Sequence, residues 1–291
     1  MENMEKARAH IRQIALALLA ATVAVIWYAV FHFESRQNLV VTFFDIGEGD
    51  AILFEAPNGN EILIDGGPGD RILAKLGGTL PFWDRSLDLV ILTHPHADHV
   101  TGLVDVLERY DVGMVLETGV NHSIPEYAEW RELLKEKDVK VITAKSGQRV
   151  QFSESARLDI LTPFENFAGA SRPNVHDAML VSRLAHGSTT VLLMGDAEKS
   201  LEYRLLYSGD DLDADILKVG HHGSKTSSTV EFLAAVSPEI AVIQVGRKNR
   251  FGHPVEEVLE RLEASGAKIL RTDRDGDIRI LSNGTAYELL R

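Results

Sequence analysis

A continuous apolar run, Leu87–Thr93, leads directly into His94-Pro95-His96-Ala97-Asp98-His99. A strand that is apolar on both faces is packed between two layers, as in a parallel sheet covered on each side. The segment after the cluster reads as helical, because Val100–Tyr110 carries Leu103, Val106 and Leu107 on one face. This order of buried strand, polar loop and amphipathic helix belongs to a layered α/β fold, and it puts three imidazoles and a carboxylate at a strand's carboxyl end. Histidine and aspartate are ligands for zinc, manganese or iron. The spacing allows His94 and His96 to face one ion while Asp98 and His99 face a second. With 11 histidines in 291 residues, a surface loop with incidental histidines does not account for four donors this close together.

Two ions need a carboxylate that bridges them and further histidine. Leu192-Leu193-Met194-Gly195-Asp196 is an apolar strand ending in Gly-Asp, and Asp196 is the candidate bridge; its alternative role is to cap the helix after it. Ile216–Val219 is another apolar strand, and it ends in Gly220-His221-His222-Gly223-Ser224. Neighbouring side chains diverge, so one of the pair is expected to bind metal: His221, with His222 behind it or facing substrate. Asp45, Asp50 and Asp65 stand at strand ends and are expected to hydrogen-bond the metal-binding histidines, or else to serve turn chemistry. Ser224, Lys225, Thr226 and Ser227 offer donors suited to phosphate oxygens. His253 arrives on a loop with Arg247, Lys248 and Arg250, one of the few basic clusters in the chain, and is the candidate proton donor; its alternative is a solvated turn. His122 and His186 have no motif around them and read as surface residues.

The remaining strands are expected at Val40–Asp45, Ala51–Glu55, Glu61–Asp65, Val112–Glu117, Lys140–Thr143, Arg157–Leu161, Met179–Ala185, Thr190–Met194, Asp215–Val219, Glu239–Val245, Lys268–Thr272, Asp277–Leu281 and Ala286–Leu290. Pro57-Asn58-Gly59-Asn60 is a hairpin turn. Helices are expected at Tyr127–Lys137, Glu198–Leu206, Val230–Ala235 and Val255–Ala264, the last with Pro254 in its first turn. No cysteine is present, which excludes disulfides, thiolate metal sites and thiol nucleophiles. There is no Gly-x-Ser-x-Gly elbow either. A net charge of −13 argues against a protein that coats nucleic acid, although bound cations would make a site locally positive.

Ahead of this domain, Ile14–Phe31 is an uncharged run of 18 residues. As a helix it is roughly 27 Å long, close to the hydrocarbon thickness of about 30 Å. Trp27 and Tyr28 sit near its outer end, where aromatic rings favour the interface. No face of the run is polar, which disfavours a buried core helix, and the exit Phe31-His32-Phe33-Glu34 offers no small-x-small cleavage site. Lys6, Arg8 and Arg12 precede the span and Arg36 comes after it. The expectation is therefore a cytoplasmic tail over residues 1–13, a single membrane span over 14–31 and one large domain over 39–291 on the extracytoplasmic side of the cell membrane.

The order of motifs resembles the metallo-β-lactamase superfamily. More narrowly it is similar to the C-terminal hydrolase domain of competence DNA-uptake channel proteins of the ComEC type. The resemblance covers roughly residues 39–291 and rests on Phe44-Asp45-Ile46-Gly47-Glu48-Gly49-Asp50-Ala51, Leu63-Ile64-Asp65-Gly66-Gly67, the His94–His99 cluster and Gly195-Asp196-Ala197-Glu198. It continues in His221-His222-Gly223-Ser224-Lys225-Thr226-Ser227, Asn249-Arg250-Phe251-Gly252-His253-Pro254 and Arg271-Thr272-Asp273. It implies a four-layer αβ/βα sandwich with metals at one edge, between two sheets. Two departures stand out. Glu48 occupies a position where the family usually has glutamine. Where many members place a further histidine ligand, and the competence-like branch tends to asparagine, this chain reads Asn174-Val175-His176-Asp177; His176 or Asp177 completes the first metal site, or merely caps the next strand.

The resemblance and the basic loop together imply a hydrolase with two divalent ions, zinc or manganese, that lower the pKa of a shared water. Asp98 and His253 are its expected catalytic residues, and Ser224, Lys225, Thr226 and Arg250 are expected to bind substrate. The expected substrate is a phosphodiester, such as single-stranded DNA. The alternatives are a small ester, such as a phosphocholine ester or lactone, and an inactive accessory protein.

Overall fold

The computed structural model describes residues 2–35, 38–172 and 174–290; Arg36, counted above among the flanking charges, and Arg291 lie outside them. Helix α1 (Glu2–Ser35) comes first. Within it His10–Tyr28 has a mean hydropathy of 1.7 and is not buried among the described residues, so by length and composition it is able to cross a membrane. It begins four residues earlier than the uncharged run, because His10 and Arg12 do not interrupt the helix.

The domain then runs through β1 (Leu39–Phe43), β2 (Ile52–Glu55), β3 (Glu61–Ile64), α2 (Arg71–Thr79), β4 (Ser86–Leu87), β5 (Leu89–Leu92), α3 (Ala97–Arg109), β6 (Asp111–Val112), β7 (Met114–Glu117), α4 (Pro125–Glu136) and β8 (Lys140–Thr143). Its second half is β9 (Arg149–Gln151), β10 (Ala156–Ile160), β11 (Ser182–His186), β12 (Thr189–Leu193), α5 (Lys199–Leu206), β13 (Ile216–Lys218), α6 (Val230–Val236), β14 (Ile240–Ile243), α7 (Glu256–Ala264), β15 (Lys268–Arg271), α8 (Thr272–Asp275), β16 (Ile278–Ser282) and β17 (Tyr287–Leu290).

The strands form two large sheets, ordered β17-β16-β1-β2-β3-β5-β7-β8 and β15-β14-β13-β12-β11-β10-β9. Each sheet is antiparallel on one side and parallel on the other, and the parallel strands are joined by helices, as parallel pairing requires. The alternation along each strand explains the layers. Ile62, Ile64, Leu89 and Ile91 of the first sheet meet Leu184, Val191, Leu193 and Val242 of the second in one core. Leu63, Val90, Leu92 and Val115 point the other way, onto Leu76, Leu103, Leu107 and Trp130 of α2–α4. Leu192, Leu217 and Ala241 do the same toward Leu201, Phe232 and Val258 of α5–α7. This is the expected four-layer αβ/βα sandwich.

Elements invisible to apolar periodicity are α2, whose Gly77 and Gly78 dilute its pattern, and the short β4–β6 ladder and β9. Three boundaries move. Val255 caps α7, so Pro254 precedes the helix rather than opening it. The expected strand at Met179–Ala185 starts only at Ser182, because Thr162 Oγ1 takes the Val181 amide and donates to the Met179 carbonyl. Thr272 opens α8 instead of extending β15.

Candidate metal centre

The parallel strands of both sheets end on the same side of the sandwich, and there the chemistry-bearing loops meet. Asp65, just past β3, sits in the left-handed region at φ 56°. Its buried carboxylate accepts from the Thr93 amide at 2.8 Å and the Thr93 hydroxyl at 2.6 Å, and holds His99 Nδ1 at 2.7 Å. That contact commits the Nδ1 proton and leaves His99 Nε2 facing Asp98 at 3.7 Å and Asp196 at 3.4 Å. Backbone proximity fixes the helix carrying His99: a Cβ on Gly102 would lie 2.0 Å from the Gly66 carbonyl oxygen, so only glycine lets α3 seat this deeply.

Two four-donor groups result. His94, His96, His176 and Asp196 form the first; Asp98, His99, Asp196 and His222 form the second. Within each, one ligand atom per residue lies within 4.8 Å of all the others. Asp196 belongs to both, with Oδ2 3.8 Å from His94 Nε2 and Oδ1 3.4 Å from His222 Nε2. It does not cap α5, whose N-cap is Glu198. His176, on a short 3₁₀ turn (Val175–Ala178) capped by Asn174, turns its ring onto those of His94 and His96, whereas Asp177 points to solvent.

Both histidines of the pair fall in donor groups. His222 joins the second, while His221, the ligand expected from the sequence, joins only a three-donor group with His176 and Glu198, facing Glu198 at 3.4 Å and approaching Asp196 to 4.0 Å. Both residues adopt left-handed backbone, φ 48° and 52°, a strain of about 1–3 kcal/mol per residue that is tolerated only where the surroundings over-determine it. Here the constraints are the Gly195 carbonyl on the His221 amide and Ser227 Oγ on the Gly220 carbonyl. Adjacent side chains diverge in an extended strand; in this turn the two rings lie 6.3 Å apart and both approach Asp196.

The metallo-beta-lactamase superfamily profile matches residues 45–247, which span every donor of both groups. The chain belongs to the metallo-β-lactamase superfamily. Among curated relatives it is 30% identical over 265 residues to "ComE operon protein 3" of Bacillus subtilis, covering 82% of this chain and 32% of that one. It is 32% identical over 276 residues to "Competence protein ComA" of Neisseria gonorrhoeae, covering 92% of this chain and 35% of the other. It therefore spans about a third of the length of these relatives. Among solved structures it is similar in fold to the metallo-beta-lactamase fold protein YhfI from Bacillus subtilis, with a TM-score of 0.55 and 15% identity over 83% of this chain and 99% of that one.

The donor set of this metallo-β-lactamase domain fits divalent cations. Burial holds His94 well below the ordinary imidazole value, with His99 adding to it, and burial followed by His176 and His99 brings His96 down to about 4. Both are neutral, as ligands must be. The second group behaves differently. Burial opposes charge on His99 and His222, yet Asp196 and Asp65 push His99 well up, and Asp196 and Asp50 push His222 up to about 9. The carboxylates thus draw protons onto the imidazoles in the absence of a cation, and a cation would displace them. Buried His99 Nε2, His176 Nε2, His222 Nε2 and Asp196 Oδ1 all lack a well-formed hydrogen bond, an arrangement that an ion between them would satisfy.

Supporting residues escaped the sequence. Lys218, a cation in an apolar strand, is fully buried, paired with Asp50 and donating to the Gly195 carbonyl at 3.1 Å. Asp50 therefore supports this end of the site mainly through Lys218; its other oxygen is 3.5 Å from His222. Gln244 ties the loop after β1 to the second sheet by donating its side-chain amide to the Phe44 and Ala51 carbonyls, while its main-chain carbonyl accepts from His222 Nδ1 at 2.8 Å. Buried Glu202 accepts from the Ser228 and Thr229 amides and so secures the His221–Ser227 turn. A polar residue inside an apolar strand was the available signal for Lys218 and Gln244.

Several expected residues lie elsewhere. Asp45 touches no histidine; its amide donates to Asp277, and its side chain lines a cleft of about 650 Å³ with Glu48, Arg71, Arg247 and Lys248. Glu48 joins neither four-donor group but feels His222, Asp98 and Asp196. Ser224 Oγ and Thr226 Oγ1 bond each other, Thr226 reaches His221 Nδ1 at 3.4 Å, and Lys225 is exposed. His253 has its ring 5.9 Å from that of His221, stacked on exposed Phe251, and its backbone is clipped on both sides by Asn249. Arg250 is exposed beside it. Neither His122 nor His186 is a plain surface residue: His122 packs 5.4 Å from the His96 ring, and His186 is buried, bonded to Ser282 Oγ between the two sheets.

Proposed function

We propose that this chain is a membrane-anchored, binuclear metal-dependent phosphodiesterase acting on single-stranded DNA. The observation that carries the hydrolase reading is Asp196, one buried carboxylate common to two donor groups. In this reading His94, His96 and His176 hold one ion, Asp98, His99 and His222 hold the other, and Asp196 bridges them. Two divalent cations so held supply a water of lowered pKa and stabilise charge on a phosphoryl oxygen.

The remaining roles belong to the chain's own side chains. His253, its ring partly buried next to His221, is held below the ordinary imidazole value by burial first and by His221 and His222 next. In the proposed role it hydrogen-bonds the substrate oxygen on which charge develops or, in its protonated form, donates a proton to the leaving group. Arg250, Arg247 and Lys248 attract the phosphate backbone, and exposed Phe251 offers a face on which a base stacks. The competence relatives support DNA as substrate. α1 supplies the anchor, with Lys6, Arg8 and Arg12 keeping its start in the cytoplasm and the domain outside.

The test is to load the purified chain with zinc or manganese and offer a single-stranded oligonucleotide beside a chromogenic carboxylic ester, a lactone and a phosphocholine ester. Metal-dependent cleavage of the oligonucleotide is expected. Turnover of the small esters alone would replace the substrate, and no turnover by a chain carrying two ions would favour an accessory role. Protease added to intact cells should digest the domain; protection until lysis would reverse the topology.

A further inference from the structure

The metal centre occupies one end of the sandwich, and the chain enters at the other. β1 starts at Leu39 and runs toward the site, since Phe43 is followed by the Phe44–Asp50 loop beside Asp98. Strand register carries this end across the first sheet: Val40 pairs with Glu55, Glu55 with Glu61, and Ile62 with Leu89. The loop between α2 and β5 lies on this same end. Its Asp88 accepts from the Glu61 amide, and its Arg85 reaches Tyr110, where α3 finishes after starting at the metal loop.

At the tip of that loop stand Phe82 and Trp83, 81% and 73% exposed, edge to face with ring centroids 4.8 Å apart. Two adjacent large aromatic rings held against each other in water are not explained by packing, because neither belongs to a core cluster among the described residues. Connectivity says what lies nearby. From Tyr28 to Ser35 the helix rises about 10 Å, and Ser35 to Leu39 spans at most about 14 Å. If α1 crosses a bilayer, Leu39 stands within about 25 Å of the end of the apolar stretch, which brings the end of the domain that carries Phe82 and Trp83 within reach of the lipid.

We propose that the end of the domain opposite the metal centre rests on the bilayer, with Phe82 and Trp83 seated in its headgroup region. This rests on the anchoring reading of α1. Aromatic rings prefer that depth. Asp84, Asp88, Glu61 and Glu55 outnumber Arg85 and Arg279 around this loop, so the contact is made by the rings with a zwitterionic surface and not by attraction to anionic lipid. The orientation turns the metal centre away from the membrane by about one strand length, roughly 13 Å, so that substrate arrives from the water.

The test uses the full chain carrying Trp27→Phe in phosphatidylcholine vesicles with or without brominated acyl chains. Trp130 is fully buried and gives a constant background, which the same chain with Trp83→Phe measures. Trp83 emission should fall by about a factor of two with bromolipid, as befits a ring at the interface, and Phe82→Asp should abolish that loss while the chain still floats with the vesicles. A chain that floats but whose Trp83 responds only to aqueous iodide would overturn the seated loop and spare the anchor. Trp83 quenched by neither agent would mean that protein covers it, and would also overturn the proposal. A chain that does not float at all would remove the anchor and this proposal together, while leaving its metal content and turnover to be judged separately.

Discussion

The first sheet delivers its donors in one short segment: His94 and His96 on the loop after β5, Asp98 and His99 in the first turn of α3, with Asp65 behind them fixing the His99 tautomer. The second sheet delivers its donors singly, His176 from a 3₁₀ turn, Asp196 past the end of β12 and His222 from a strained turn after β13. The first arrangement is local and survives small shifts of one element against another. The second depends on the sheets being held in register, which Gln244 and the Lys218–Asp50 pair accomplish from within the core. The second half also carries the His253 loop, so in the proposed reading that part of the molecule combines the bridging carboxylate, a strained ligand turn and the candidate proton donor.

This contrast is open to attack at each point. The largest expected effect on turnover short of losing the metals is at His253. His253→Ala should keep its metal content and melting temperature and lose about 10²–10⁴-fold in turnover, the range for a general acid or base. Loss of metal would make His253 a ligand, and unchanged turnover would make its loop a solvated turn. Arg250→Ala should weaken DNA cleavage through binding, by an amount that shrinks as salt rises; a loss independent of salt would argue against backbone steering.

A smaller effect tests the first half. Asp65→Asn keeps the shape but gives up the charge that orients His99, and metal affinity should fall by about 10–100-fold. Gln244→Leu, in the second half, frees the loop after β1 but keeps the main-chain carbonyl that accepts from His222, and should therefore weaken metal binding less. If only Asp65→Asn weakened binding, the second half would not depend on its core supports.

The smallest effect is electrostatic. Without metal, His222 is held up to about 9 against an ordinary 6.5, because Asp196 and Asp50 outweigh its burial. A raised folded-state value means that protonation stabilises the fold. This contribution is fully present below about pH 6.5 and fades as the pH rises through about 9. The urea midpoint of the chelated chain should therefore fall across that window, while the metal-loaded chain, whose ions displace those protons, should not track it. A flat midpoint in chelator would mean that His222 carries no such proton.

The legibility of the sequence divides along the same line. The cluster after β5 was readable because its donors are adjacent and the strand ahead of them is apolar on both faces. Asp196 was readable as an interruption at the end of such a strand. The identity of the second histidine was not, because the rule that neighbours diverge holds for extended backbone and fails where φ turns positive at His221 and His222. His176 and Asp177 could not be separated, because a 3₁₀ turn decides which one faces inward. Lys218 and Gln244 act through partners distant in sequence, Asp50 and the Phe44–Ala51 loop, and no local pattern reports such pairing.

The claim on which the rest depends is that Asp196 is shared by two ions and that His222, not His221, completes the second. Native mass spectrometry of the purified chain, titrated with zinc or manganese, counts the ions directly. The expected counts are two for the wild type, one for His96→Ala, one for His222→Ala, two for His221→Ala and none for Asp196→Ala. A wild type that takes a single ion, an Asp196→Ala chain that keeps both, or a His221→Ala chain that loses the ion His222→Ala retains would contradict it.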